Sequence, residues 1–195
     1  MMGLRHLVAV TSLLCGAATA APLDCVAGIA PVAYLVERVG GAHVTVSVLV
    51  PPDTNVHNFD PTPRQVMQLG KARLLFIVGL PFEEMLTKRI TDQAQGLEIA
   101  DVSKGVEKRR MASAHAHHGH DHAHEEGHDP HVWLGPQQLE TIAGNIADAL
   151  SSADPANARQ YEEHRAGFVE ELQEVATEVR KALAPYKGEP LLVYH

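Results

Sequence analysis

Residues 23–41 read LDCVAGIAPVAYLVERVGG, and the expected fold follows from them. The first part, 24–30, is a short apolar run typical of a buried strand. The second part, 31–39, begins with Pro31 at a first-turn position and ends at a pair of glycines, as an amphipathic helix does. A buried strand that leads into an amphipathic helix is half of a βαβ unit. The stretch therefore predicts an α/β protein.

The same alternation continues along the chain. Further apolar runs predict strands at 43–50, 73–78 and 97–101. Amphipathic or Pro-initiated segments predict helices at 63–69, 81–90 and 136–150. Alternating strands and helices predict a mostly parallel sheet of about three or four strands.

A single long helix is predicted over 156–183, a segment without Pro that is dense in Glu, Arg, Gln and Ala. Its apolar residues recur every three or four positions: Tyr161, Phe168, Leu172, Val175 and Val179. At 1.5 Å per residue such a helix is about 40 Å long. Residues 190–195 then have the pattern of another buried strand.

These elements predict four regions. Residues 1–20 are a signal peptide, and 21–154 form an N-terminal α/β lobe that includes a His-rich loop at 104–128. Residues 155–188 form the long linking helix. Residues 189–195 are the first strand of a second α/β lobe, the rest of which is missing beyond His195.

The N-terminal residues indicate export. Arg5 precedes the apolar run 7–14, and small residues lead to Ala20, where cleavage is expected. The apolar run is about half of the roughly 20 residues that a membrane-spanning helix needs. Cys15 follows Leu13 and Leu14, and a lipidation motif has Gly, Ala or Ser where this bulky Leu stands. No lipid anchor is therefore expected.

Charge and cysteine content narrow the class further. Cleavage removes Arg5 and no acidic residue, so the net charge changes from −8 to −9. Such an acidic chain does not favour nucleic acid or an anionic membrane surface as a partner. Only Cys25 remains after cleavage, and we expect it to be a buried, unpaired thiol.

Seven of the thirteen histidines lie in one short tract, interleaved with acidic residues. They are His115, His117, His118, His120, His122, His124 and His128. Imidazole and carboxylate groups together favour a divalent transition metal. The tract has no apolar periodicity, so it is expected to be an accessory metal-collecting loop or a solvated loop without a role.

Residues 124–128 read HEEGH and match the H-E-x-x-H motif of metallopeptidases, in which Glu125 would act as the base. Gly127 lies inside the motif, and Asp129 and Pro130 follow at once, which opposes the helix that the motif requires. The match is expected to be accidental. A zinc-dependent metallopeptidase is kept as an alternative function.

Three other histidines each follow a predicted strand or a turn, where α/β sheets place their ligand sites. They are His57, His131 and His195. Taken singly, a histidine in a loop is more often solvated or hydrogen-bonded than a metal ligand. Composition alone therefore does not assign these three.

Their surrounding motifs resemble the zinc-uptake substrate-binding proteins of ABC importers. The motifs are, in order, HNFDPTP at 57–63, Gly79 followed by Phe82-Glu83, the His-rich loop, DPHVWL at 129–134 and VYH at 193–195. The resemblance covers nearly the whole mature chain. It implies two α/β lobes joined by one long helix, a metal held in the cleft between them, and a periplasmic location.

The resemblance also implies a ligand set. His57 and His131 would be the ligands from the first lobe and His195 the first from the second, with an acidic or water ligand completing the site. Three imidazoles and one oxygen suit zinc. Manganese relatives tend to have a carboxylate in the place of His195, so zinc is favoured over manganese. Asp60 and Asp129 are expected to orient the ligands as hydrogen-bond acceptors, although Asp129 before Pro130 could equally be a turn residue.

The implied function is zinc capture for transport, with Zn²⁺ as the transported ligand and no enzymatic activity. The implied partners are an ABC permease and its ATPase at the inner membrane, and the protein is expected to be a monomer. A second alternative is an exported metal-buffering or adhesion protein that works without a transporter.

Overall fold

The computed structural model describes residues 21–56, 59–90, 96–109 and 129–190. Its centre is one parallel sheet in the order β2-β1-β3-β4. The strands are β1 (Leu23–Ala27), β2 (Val44–Val48), β3 (Leu74–Ile77) and β4 (Glu98–Asp101). All four match predicted strands and are a few residues shorter, so the predicted parallel α/β fold is confirmed.

The predicted helices are also present. They are α1 (Ala30–Gly40), α2 (Pro63–Leu69), α3 (Pro81–Ile90), α4 (Pro136–Ala153) and α5 (Ala158–Leu183). Short 3₁₀ turns flank α5 at Pro155–Asn157 and Ala184–Tyr186. Because Pro fixes φ and lacks an N–H, it is suited to the first turn, where α2, α3 and α4 each have one.

Helix α1 ends at a glycine, as the sequence predicts. Gly41 has a left-handed φ of 56°, and its N–H donates to the Glu37 carbonyl, which ends α1.

Cys25 and its neighbours Val26 and Ala27 are buried because β1 has a strand on each side. Burial raises the pKa of the Cys25 thiol to about 12, so the thiol stays protonated.

Three helices pack against one another to close the core. Helices α1, α4 and α5 are mutually in contact, and α1 also contacts β1 and β2. Tyr161 of α5 is fully buried, and its hydroxyl donates to Asp154 at 2.8 Å. Arg38 of α1 pairs with Glu171 of α5 at 2.8 Å. The long helix is therefore fixed to the lobe through its N-terminal half.

The apolar residues of α5 are not buried equally along the helix. Tyr161 and Phe168 are buried, whereas Val175 and Val179 are 55% and 48% exposed. The sequence predicts that these residues share a helix face, and the structure leaves Val175 and Val179 about half exposed although Ala176 beside them is buried. Helix α5 packs on α1 and α4, which have 11 and 18 residues and are both shorter than the 26 residues of α5.

The predicted strand at the C-terminus lies mostly in residues 191–195, outside the described part of the chain, and the boundaries between regions remain predictions. No helix in the described ranges combines the length and the apolarity that crossing a membrane requires.

Candidate functional site

His131 lies on the wall of a cleft just before α4. The cleft has a volume of about 240 Å³. It is bounded by residues 107–109 on one side and 129–135 on the other, together with Gln138 of α4. The backbone N–H of Asp129 donates to the Arg109 carbonyl at 2.7 Å, so the two chain segments that flank residues 110–128 meet at this cleft.

Asp129 holds the His131 side chain in one orientation. The Asp129 carboxylate accepts a hydrogen bond from the His131 backbone N–H at 3.0 Å and lies 2.6 Å from Nδ1 of the same residue. These two bonds, the backbone one first, lower the pKa of Asp129. The carboxylate is therefore ionised at neutral pH and Nδ1 is the donor, so metal ligation by this ring would use Nε2.

An aromatic neighbour also restricts the ring. The His131 and Trp133 rings have centroids 5.3 Å apart at an interplanar angle of 62°. Val132 between them is buried and belongs to the core. The short segment is thus fixed by core packing, and it presents His131 at the rim.

The cleft around His131 is lined by charges of both signs. Lys108 and Arg109 contribute two cations, and Glu107 and Asp129 contribute two carboxylates. The fixed charges of the wall therefore nearly cancel. The described part of the cleft wall therefore does not create a strong negative field.

Asp60 has a described partner on α3. Its carboxylate pairs with Arg89 at 3.2 Å, and both side chains are largely exposed. An exposed pair of this kind contributes little to stability. Its predicted role as an acceptor for a metal ligand stays a prediction, because His57 is outside the described residues.

Most of the predicted site residues fall outside the described ranges. These are His57 and His195, the loop histidines His115, His117, His118, His120, His122, His124 and His128, and the HEEGH segment at 124–128. Within the described ranges, no three His, Cys, Asp or Glu side chains come close enough to hold a metal ion. The three-imidazole site therefore remains a prediction.

A buried carboxylate, Glu83, was not assigned a role from the sequence. Its side chain is fully buried near the start of α3. One oxygen, Oε2, accepts hydrogen bonds from the backbone N–H groups of Val78, Gly79 and Leu80 at 2.8–2.9 Å. The other, Oε1, is buried and has no hydrogen-bond partner among the described residues. A Glu three residues after Leu80, which directly precedes α3, is half of a capping box, so the sequence did carry a signal for this contact.

Burial is the largest influence on the Glu83 carboxyl and raises its pKa to about 7; the three backbone hydrogen bonds oppose the rise, and Asp101 adds to it. Because the pKa of this carboxyl in the folded protein lies above its ordinary value of 4.5, folding favours the protonated form. The contribution of this group to stability is therefore fully present below the unfolded-state pKa and is lost as pH rises through about 7.

The described residues thus form a parallel α/β lobe that continues into one long helix and has a carboxylate-oriented histidine at its rim. The model of the family described as zinc-uptake complex component A, periplasmic, matches residues 25–195. The chain therefore belongs to this zinc-uptake family, which confirms the resemblance seen in its motifs.

Solved structures agree with this assignment. The crystal structure of ZnuA is 30% identical, has a TM-score of 0.78, and aligns over 89% of this chain and 64% of its own. A ZnuA deletion mutant with zinc bound is also 30% identical, with a TM-score of 0.73, and aligns over 84% of this chain and 59% of its own.

Curated relatives are more distant in sequence. The zinc-binding protein AdcA of Streptococcus pyogenes serotype M3 is 26% identical over 181 residues, covering 85% of this chain and 34% of AdcA. The high-affinity zinc uptake system protein ZnuA of Brucella abortus is 26% identical over 172 residues, covering 71% of this chain and 52% of that protein. The chain spans from about a third to about half of the length of these relatives.

Proposed function

We propose that this chain captures zinc outside the cytoplasmic membrane and delivers it to an ABC permease. Membership of the zinc-uptake family supports the proposal. The names of its relatives, which include a zinc-binding protein and a high-affinity zinc uptake protein, point the same way. Capture would be binding and not catalysis.

The observation that carries the proposal is the pairing of Asp129 with His131. A histidine that ligates a metal usually donates its other ring N–H to a carboxylate or a carbonyl, which fixes the tautomer and makes the ring a better ligand. The 2.6 Å contact at Nδ1 is of this type, and it occurs on the wall of a cleft. Packing in the core alone does not explain why His131 lines a cleft.

His131 would act together with His57 and His195, each as a neutral imidazole, and an acidic or water ligand would complete the site. Four-coordinate sites with nitrogen and oxygen donors suit zinc. Harder oxygen donors would suit manganese better, so three imidazoles favour zinc.

The partners of this function are an ABC permease and its ATPase at the inner membrane, with the protein acting as a monomer in the periplasm. The signal-peptide pattern in residues 1–20 supports export. We propose that no lipid anchor holds it. A related metal ABC transporter substrate-binding protein of Streptococcus cristatus, 27% identical over 177 residues, is a lipoprotein, so mass measurement of the exported protein is the relevant check.

Zinc titration at two pH values tests the proposed site. Imidazole must lose its proton to bind zinc, and histidine side chains ordinarily titrate near pH 6.5, so affinity should fall by at least about tenfold for each pH unit below that value. The measurement is calorimetric or competitive titration of the full-length protein with zinc at neutral and mildly acidic pH. Equal affinity at both pH values would contradict imidazole ligation.

The His-rich loop can be separated from the tight site by deleting residues 115–128. If the loop only collects zinc and raises its local concentration, deletion should slow uptake at scarce zinc and change the affinity of the tight site by less than about threefold. A loop of equal length with the seven histidines replaced by Ser controls for chain length. A large loss of affinity in both variants would move the primary site into the loop.

A further inference from the structure

The carboxyl ends of β1 and β3 form the crevice where a parallel sheet usually places its ligand. The chain leaves β1 towards β2 on one side and leaves β3 towards β4 on the other, so the strand order reverses between β1 and β3. Open α/β sheets bind ligands at such a reversal point. Here the crevice contains the side chain of Glu83, in contact with Gly28 just beyond β1.

The backbone around Glu83 forms an anion-binding turn. Three consecutive N–H groups, from Val78, Gly79 and Leu80, point at one oxygen of the carboxylate immediately before α3. Consecutive N–H groups ahead of a helix make a concavity that binds anions. The group that fills the turn in this case is the carboxyl side chain of Glu83, so the turn and the start of α3 are held in one geometry from within.

From α3 the contacts continue to the chain next to His57. The ring of Phe82 packs edge-to-face on the ring of Phe59, with centroids 5.2 Å apart at 85°. Phe59 is buried, and it is two residues beyond His57. The adjacent Asp60 pairs with Arg89 of the same helix. The ring contact of Phe59 and the ion pair of Asp60 are therefore both made to α3.

The two contacts differ in how much they contribute to holding residues 59 and 60 against α3. The Phe59–Phe82 pair is buried, and such aromatic pairs are specific in geometry. The Asp60–Arg89 pair is exposed, and such pairs contribute little. The aromatic contact is thus the one able to transmit the position of α3 to the chain that carries His57.

We propose that Glu83 is a positioning residue for zinc capture: it fixes the start of α3, and through the Phe82–Phe59 contact it sets the backbone that carries His57. The inference rests on the proposed function, in which His57 is a ligand. Residues that orient metal ligands without touching the metal typically change affinity by about 10- to 100-fold when altered.

Two conservative variants of Glu83 separate the reach of the side chain from its chemical type. Glu83→Asp keeps the carboxyl group but is one methylene shorter, so it cannot reach all three N–H groups, and zinc affinity should fall about tenfold. Glu83→Gln keeps the reach and an acceptor oxygen, so affinity should stay within about threefold of the unaltered protein. The measurement is competition for zinc with a chromophoric chelator, on the full-length protein. Unchanged affinity in Glu83→Asp overturns the proposal.

A matched control tests whether general loosening of α3 would have the same effect. Leu86 is buried on α3 away from the turn, and Leu86→Ala should destabilise the fold without a comparable loss of zinc affinity while the protein remains folded. An equal loss of affinity in Leu86→Ala would reduce Glu83 to an ordinary core residue and overturn its positioning role.

Phe82→Leu tests whether Glu83 acts through the Phe82–Phe59 contact. It also tests the positioning role if Glu83→Asp fails to fold. This variant keeps apolar packing and removes the ring-to-ring contact, so it should weaken zinc binding several-fold; unchanged affinity overturns the proposal. Combined with Phe59→Leu it should lose little more than either single change, because both remove the same contact. Fully additive losses would argue against this route.

His57→Ala distinguishes failure of the inference from failure of the proposed function. Zinc affinity that is unchanged in His57→Ala overturns the assignment of His57 as a ligand and with it the positioning role of Glu83, whereas failure of the unaltered protein to bind zinc overturns the proposed function itself. If His57→Ala abolishes binding while Glu83→Asp and Phe82→Leu leave it unchanged, the ligand assignment stands and only the positioning role is overturned.

Discussion

Zinc affinity is expected to fall by at least about a hundredfold when His131 is replaced by Ala, because a loss of ligand should exceed the 10- to 100-fold typical of an altered orienting residue. The His131 ring is positioned by Asp129 and by Trp133 on the wall of a cleft, so the loss would remove a donor that is already oriented for metal. The measurement is competitive zinc titration of the folded variant at neutral pH.

Two variants give this result its controls. Asp129→Asn keeps the size of the side chain but removes the charge that selects the His131 tautomer, so a loss of about tenfold, smaller than that of His131→Ala, is expected. His164→Ala removes a histidine whose ring contacts the Val39 carbonyl at the end of α1, and zinc affinity should not change. Wild-type affinity in His131→Ala would contradict the site.

Replacing Gly28 by Ala is expected to lower the free energy of unfolding by about 3 kcal/mol, the combined scale of overpacking and a disturbed buried hydrogen-bond group. An added Cβ at Gly28 would collide with Oε1 of Glu83. This oxygen cannot swing away cheaply, because its partner Oε2 is held by three backbone N–H groups inside the core. Either the carboxylate or the end of β1 must move.

Urea unfolding of Gly28→Ala measures this cost, with a chelator present so that bound zinc does not add to stability. Gly144→Ala is the matched control, since a Cβ at Gly144 in α4 meets no atom within 4 Å. It should raise stability by up to about 1 kcal/mol through helix propensity. Unchanged stability in Gly28→Ala would show that the Glu83 carboxylate is not fixed.

Adding Glu83→Ala to Gly28→Ala tests the collision directly. The second change removes the oxygen that the new methyl group would meet, so the double variant should lose less stability than the sum of the single losses. Simple additivity would mean that the two residues act independently.

Much of the fold was predictable because its signals are local. Short apolar runs alternate with Pro-initiated helices, and α2 and α3 begin and end at the residues that the pattern indicated. The strands came out shorter than predicted because apolar residues such as Ile29 and Val50 continue beyond the last ladder pairs and are buried in the turns. Hydrophobic patterns report burial, and burial does not stop where strand pairing stops.

The site was predictable in part for a different reason. His131 and Asp129 stand two residues apart, so their contact is nearly local; Asp129 was expected either to orient a ligand or to be a turn residue, and in the structure it contacts both the backbone N–H and the ring of His131. The pairing of Asp60 with Arg89 joins residues 29 positions apart, and no periodicity reports such a contact. The predicted set of His57, His131 and His195 came from resemblance, and it stays a prediction until zinc binding is measured.

The sequence by itself determined the parallel α/β class and the long helix, because each rests on spacing along one stretch of chain, and the choice of His131 as a candidate ligand came from the resemblance of its motif. Only the tertiary structure decided that Glu83 lies in the crevice between β1 and β3 against Gly28, and that Val175 and Val179 are about half exposed. Those facts depend on which distant segments meet. The order of the strands in the sheet sets which distant segments meet, and local propensity does not determine that order.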